Sequence, residues 1–225
     1  MTFSIIARDP DSAAFGVAVS TAVPCVGAVV PHAKSGVGAI ATQSYTNVDL
    51  GRDGLLLLER GLSPRAALEG LLAEDPGATQ RQVAGIDAQG RTFAYSGKDC
   101  VDWFGSREGR DHSVQGNMLV GKATVDAMAD AFEATAGKWL GIRLLAALEA
   151  GQAAGGDKRG RQSAALLVTP VVIGKGSDTD FDPRKYNMDI RVDDHPDPVA
   201  ELRRIFDLLL ARRAAAQEAS RPGGR

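Results

Sequence analysis

Four strand-like runs, paired as two hairpins before any helix appears, constrain this chain more than any other feature. Residues 2–8 and 15–21 are rich in β-branched and apolar side chains and flank Asp9-Pro10-Asp11-Ser12, a strong turn signal. Residues 26–32 and 37–43 read as a second pair around Lys34-Ser35-Gly36. The second pair in particular is rich in glycine and alanine and nearly continuous in apolarity. A strand of that kind offers no face to water, so it must be covered on both sides.

The covering layers are legible further along. Helical patterns are predicted over residues 50–60 and 65–73, the second opened by Ser63-Pro64 and stopped at Asp75-Pro76-Gly77. A third hairpin follows, with strands at residues 82–87 and 92–96 around Ala88-Gln89-Gly90. A loop with Trp103 then leads to a strand at residues 112–119. Residues 122–136 and 138–150 carry apolar side chains at helical spacing: Val125, Met128, Phe132, then Leu140, Leu144, Leu148. Residues 162–173 form a strand with Pro170 inside it, which predicts an edge or a bulge. The polar stretch 174–185 links it to a strand at 187–192. A closing helix over 198–213 directs Val199, Leu202, Ile205 and Phe206 to the core. Strand runs alternating with helix pairs do not make a βαβ pattern. They predict an α+β fold of two stacked antiparallel sheets with helix pairs outside. With 44% apolar residues in 225, no repeat and no linker, the chain reads as one domain over residues 1–213 and a flexible tail over 214–225.

Charge and composition exclude several functions. A net charge of −2 provides no basic field for nucleic acid or anionic membrane, and no apolar stretch approaches the length of a membrane span. The chain opens without the charged and apolar regions of a secretory leader. Cys25 and Cys100 make neither a disulfide framework nor a metal spacing and are expected to be buried thiols. These features point to a cytoplasmic protein. His32, His112 and His195 share no ligand spacing, and Asp193-Asp194-His195 suits the approach to the last helix better than a metal, so no metal or cofactor is expected.

The candidate chemistry begins at Thr2. Methionine before a small residue is a start that cells trim. Trimming would place a hydroxyl and a free α-amine on one residue at the mouth of a buried strand, a nucleophile carrying its own base. Gln43-Ser44-Tyr45-Thr46-Asn47 ends the fourth strand. Gln43 and Asn47 could bind a polar substrate there, while Asn47 equally suits capping of the next helix. In Gln115-Gly116-Asn117-Met118, Asn117 could donate to developing negative charge or serve the turn. The glycine-rich segment from Gly155 to Ser163 holds Asp157, Arg159 and Arg161. An arginine there could grip a carboxylate, Asp157 could pair with an ammonium or an arginine, and Ser163 could support Thr2.

The strand–helix order, opening on a threonine, resembles the N-terminal nucleophile (Ntn) hydrolases, of which the proteasome β-subunit is the best-known member. The sequence more specifically resembles a bacterial family, domain of unknown function one-thousand-and-twenty-eight. The resemblance is carried by Thr2-Phe3-Ser4-Ile5, Gly36-Val37-Gly38-Ala39 with Thr42-Gln43, Gln115-Gly116-Asn117-Met118, the run from Gly155 to Leu166, and Arg191-Val192-Asp193-Asp194-His195-Pro196. It implies a four-layer αββα sandwich. It also implies catalysis by Thr2, with Lys34 lowering the pKa of the Thr2 amine from about 7.7–8.0 and Asn117 assisting. One departure is plain: the second strand, Gly16-Val17-Ala18-Val19-Ser20-Thr21, lacks the proteasome's acidic residue. The expected activity is hydrolysis of an amide-type C–N bond in a small polar substrate bound by Gln43, Asn47, Asp157, Arg159 and Ser163. A noncatalytic ligand-binding or scaffolding protein of the same fold is the competing expectation. A homodimer is the expected assembly.

Overall fold

A computed structural model describes residues 2–170 and 188–219. Met1 and its trimming, the polar link and last strand positions within residues 171–187, and tail residues 220–225 lie outside the described residues.

Ten strands and five helices are described. β1 (Thr2–Asp9), β2 (Ala14–Thr21), β3 (Pro31–Lys34) and β4 (Gly38–Ser44) come first. α1 (Val48–Glu59) and α2 (Pro64–Glu74) follow, then β5 (Arg81–Asp87), β6 (Thr92–Ser96), β7 (Gly105–Gly109) and β8 (His112–Asn117). α3 (Lys122–Ala134), α4 (Leu140–Ala153), β9 (Ser163–Val168), β10 (Met188–Val192) and α5 (Pro198–Ala219) complete the order. Both sheets are antiparallel: one of six strands ordered β10-β9-β2-β1-β8-β7, and one of four ordered β3-β4-β5-β6.

Side-chain alternation along β1 sets the layers. Phe3, Ile5 and Ala7 join Met128, Phe132, Leu144, Leu148, Leu202 and Phe206 in a core between the six-stranded sheet and α3, α4 and α5. Ile6 points the other way, into a core shared with Val17, Val19, Ala39, Ala41, Ala84 and Ile86 between the two sheets. Beyond the four-stranded sheet, Ile40, Val83 and Phe93 pack on Leu50, Leu58 and Leu68 of α1 and α2. The fold is therefore an α+β sandwich with helices outside two stacked sheets. Each fully buried Phe, Leu or Ile contributes about 1.5–3 kcal/mol.

Five local expectations change. Residues 26–32 do not form one strand: Val26–Ala28 is a 3-10 turn, and the strand is only Pro31–Lys34. The Ser163 hydroxyl donates to the Val23 carbonyl at 2.6 Å and accepts from the Val26 amide at 3.2 Å, so this backbone is held by a side chain instead of a ladder. β7 arises where a loop is predicted. Its sequence, Gly-Ser-Arg-Glu-Gly, has little strand propensity, and pairing with β8 creates it. Among the described residues β9 ends at Val168, two residues before Pro170; Thr169 follows it, its amide donating to the Phe15 carbonyl at 2.8 Å. Cys25 is exposed, while Cys100 is buried as expected. The closing helix runs on to Ala219, past the predicted end at residue 213.

Candidate active site

The space between the sheets is apolar along most of its length and polar at one end, where Thr2 stands. Thr2 begins β1, the strand flanked by β2 and β8 in the six-stranded sheet, and pairs with Thr21 on one side and Asn117 on the other. By the alternation that sends Ile6 inward, Thr2 and Ser4 also face the second sheet. Thr2 is 6% exposed, and its hydroxyl donates to that of Thr21 at 3.3 Å.

A cavity of about 240 Å³ opens on this hydroxyl. One wall is apolar: Val23, Pro24, Val26, Val29 and Val30 from the segment after β2. The rest is Ser44, Tyr45, Thr46, Asn117, Met118 and Arg159. Three of the five non-glycine residues with positive φ among the described residues belong to these loops: Cys25 (60°), Ser44 (73°) and Met118 (51°). Such conformations cost energy and persist where surrounding contacts over-determine them, often at sites of function.

The contacts that hold the loops are visible. Asp75 sits under the Ser44–Asn47 turn, its carboxylate accepting from Arg81 Nε at 2.9 Å and from Asn47 Nδ2 at 3.0 Å. Arg81 also donates to the Tyr45 carbonyl at 2.5 Å. The Arg81 guanidinium, helped by Asn47 and the Gly77 amide, holds the Asp75 carboxyl below the usual carboxylate range. On the other side, Asp157 accepts from the Ala22 amide at 2.9 Å and from the Arg159 amide at 2.8 Å, with the Arg159 guanidinium at 3.3 Å. Gly155, Gly156 and Gly160 supply the left-handed conformations that turn this segment back toward β2.

Beneath Thr2 lies a buried chain of amides and hydroxyls. Gln115 Nε2 donates to the Ser4 hydroxyl at 2.7 Å, and Ser4 donates to Gln43 Oε1 at 2.7 Å. Gln43 Nε2 donates to Gln82 Oε1 at 2.7 Å, as does Asn117 Nδ2 at 3.0 Å. Gln82 Nε2 donates to the Gly116 carbonyl and the Ser96 hydroxyl, both at 2.8 Å. Buried polar groups are expensive unless satisfied, and these satisfy one another.

The structure brings Thr2, Asn117 and Arg159 to one cavity, with Gln43, Asp157 and Ser163 just behind its walls. Gln43 is fully buried and spent on the amide chain, so it does not meet a substrate directly. Asp157 places Arg159, and Ser163 holds the apolar wall. Two expected residues are elsewhere. Asn47 accepts from the Asp49 amide at 3.1 Å as the cap of α1 and donates to Asp75, and its side chain does not line the cavity. Lys34 lies at the far end of its hairpin, paired with Gly38, whereas Gln43, near Thr2, is at the other end of β4. The adjoining turn touches the β1–β2 turn, Gly36 N–H donating to the Ala13 carbonyl, and Lys34 Nζ pairs with Glu59 at 2.6 Å in solvent. Similar sequence spacing did not mean spatial proximity here. Gln82, Thr21, Asp75 and Arg81 were missed. An inward-facing glutamine on an otherwise apolar strand was the available signal for Gln82.

A larger cleft, about 670 Å³, lies at the opposite end among Asp9, Asp11, Arg110, Asp111, Glu133, Lys138 and Arg143. Its four carboxylates and three cations sit mainly on turns, and the one hydroxyl in its lining, Ser12, donates to Asp9 at 2.6 Å. Among the described residues, no group of three or more His, Cys, Asp or Glu could hold a metal ion, and no helix is long and apolar enough to cross a membrane.

The class defined by this fold is an α+β sandwich of two antiparallel sheets with a polar cavity at the start of a central strand. Within that class, the chain belongs to the family described as Family of unknown function (DUF1028), whose model matches residues 2–202. Its backbone is similar to the crystal structure of a Silicibacter pomeroyi protein of the DUF1028 family. The TM-score is 0.78 at 31% identity, covering 92% of this chain and 88% of that one. No functionally curated protein matches the chain.

Proposed function

We propose that the protein is an N-terminal nucleophile amidohydrolase that cleaves a C–N amide-type bond in a small polar substrate. The observation that carries this reading is Thr2, placed at the first position of a central strand and lining a cavity together with Arg159 and an apolar wall. With Met1 removed, the Thr2 α-amine takes the hydroxyl proton as Oγ1 attacks the substrate carbonyl. The C–N bond breaks, the departing nitrogen takes that proton, and an ester remains on Thr2. Water, deprotonated by the amine, then releases the acid. Arg159, set by Asp157, is suited to an anionic group of the substrate. The protein is read as a cytoplasmic homodimer needing no cofactor.

A second reading keeps the cavity and loses turnover: a ligand-binding or scaffolding protein. The displacement of Lys34 favours it, because the lysine expected to tune the Thr2 amine pairs with Glu59 at the far end of its hairpin.

The two readings are separated by intact-protein mass spectrometry of native protein treated with p-nitrophenyl acetate. The hydrolase reading expects Met1 to be missing and a hydroxylamine-labile acetyl ester on Thr2 that Thr2→Ala abolishes. Full retention of Met1 overturns it.

A further inference from the structure

The buried amide chain has a polarity that backbone carbonyls dictate. A carbonyl oxygen can only accept, so the Gln82 group 2.8 Å from the Gly116 carbonyl must be its N–H₂. Gln43 is anchored in the same way: its Nε2 faces the Thr2 and Gln115 carbonyls, each at 3.4 Å. Gln82 therefore turns its oxygen toward Asn117, and Asn117 must answer with Nδ2, at 3.0 Å. Reversing Asn117 alone would set two amide oxygens against each other in a buried site. Yet Asn117 also lines the cavity beside Thr2.

We infer that Asn117 presents its amide oxygen to the ligand, reading an N–H group next to the scissile carbonyl, and that Gln82 is the positioning residue that fixes this orientation. The inference rests on the reading of the Thr2 cavity as the site and narrows its substrates. Amides and ureides with an N–H on the scissile nitrogen satisfy Asn117, whereas esters and N,N-dialkyl amides leave its oxygen desolvated and unpaired. Asn117 then serves recognition instead of the oxyanion role expected from its position after Gly116. Gln82 never touches substrate.

The test uses Thr2→Ala protein, which cannot turn over, with acetamide and methyl acetate as probes followed by ligand-observed NMR. Acetamide should bind about fivefold better than methyl acetate, the value of one neutral hydrogen bond. Adding Gln82→Leu should bring the ratio close to one. Equal binding of the two probes before Gln82 is changed overturns the inference, as does a ratio unmoved by Gln82→Leu. Should Gln82→Leu fail to fold, hydrogen exchange of the Asn117 carboxamide in the unaltered protein decides. One Hδ2 bonded to Gln82 should exchange slowly; exchange of both at the rate of an exposed carboxamide overturns the orientation. Acylation by p-nitrophenyl acetate, which carries no N–H, reports on Thr2 alone. Acylation without an amide preference sinks this inference and spares the hydrolase reading, and an amide preference without acylation does the reverse.

Discussion

At the scale of single residues, the site is built from side chains whose partners are distant in sequence. Thr2 meets Thr21 across one ladder and Asn117 across another. Asp75 holds the Ser44–Asn47 turn through Arg81 and Asn47, and the charged form of its carboxyl is strongly favoured in the fold. A carboxyl so depressed stabilises the protein above its unfolded pKa of about 3.9 and loses that contribution as pH falls toward the folded value. Asp75→Asn should therefore cost about 2 kcal/mol near neutral pH. Its difference from the parent should shrink below about pH 4, as denaturant unfolding across a pH series would register. An equal difference at both ends of the series would remove Asp75 from the clamp.

At the scale of elements, local sequence explains the helices better than the strands. Ser63 caps α2 by accepting from the Ala66 amide at 3.2 Å, with Pro64 at the first helical position, as its sequence predicts. Asn47 took its capping role over its binding role, because its oxygen lies beside the Asp49 amide. β7 was illegible because its ladder partner, not its composition, makes it a strand. Glycine in β4 has a tertiary reason too. A Cβ on Gly38 would lie 2.4 Å from the Ile86 carbonyl of β5 and 2.8 Å from Leu58 of α1. Backbone cannot yield as a side chain can, so Gly38→Ala should destabilise by about 1–3 kcal/mol. A melting temperature within a degree of the parent would mean the sheet and helix can part there cheaply.

At the scale of the whole molecule, the layers are joined by groups that resist charge. His112 is completely buried on β8 with its ring 4.8 Å from that of Phe132 on α3, and His32 on β3 crowds Gly51 of α1. Burial pushes both imidazoles below their ordinary pKa, outweighing the Arg110 and Val30 carbonyls that favour the charged ring. Their stabilising contribution is present above the unfolded pKa of about 6.5 and is lost as pH falls below it, since the unfolded chain then binds protons the folded one refuses. Stability should decline from pH 7 to pH 5 by up to roughly 1.4 kcal/mol per pH unit for each imidazole, and His112→Phe should flatten that slope in thermal unfolding. A slope unchanged by the substitution would assign the acid sensitivity elsewhere.

The sequence by itself determined the layered fold. Apolar, glycine-rich strands must be covered on both faces, and periodic helices with identifiable stops were available to cover them. It also placed Thr2 at the start of a buried strand and marked Asn117 and Arg159 as polar residues beside turns. Only the tertiary structure decided which of these residues meet. Sheet register carried Lys34 to the end away from Thr2, although its separation along the chain resembled that of a catalytic lysine, and it brought Gln82 beneath Asn117 from the opposite sheet. Propensity and periodicity act over a few residues. A site between two sheets depends on register and on hydrogen-bond polarity passed across layers, and neither is written in any one segment.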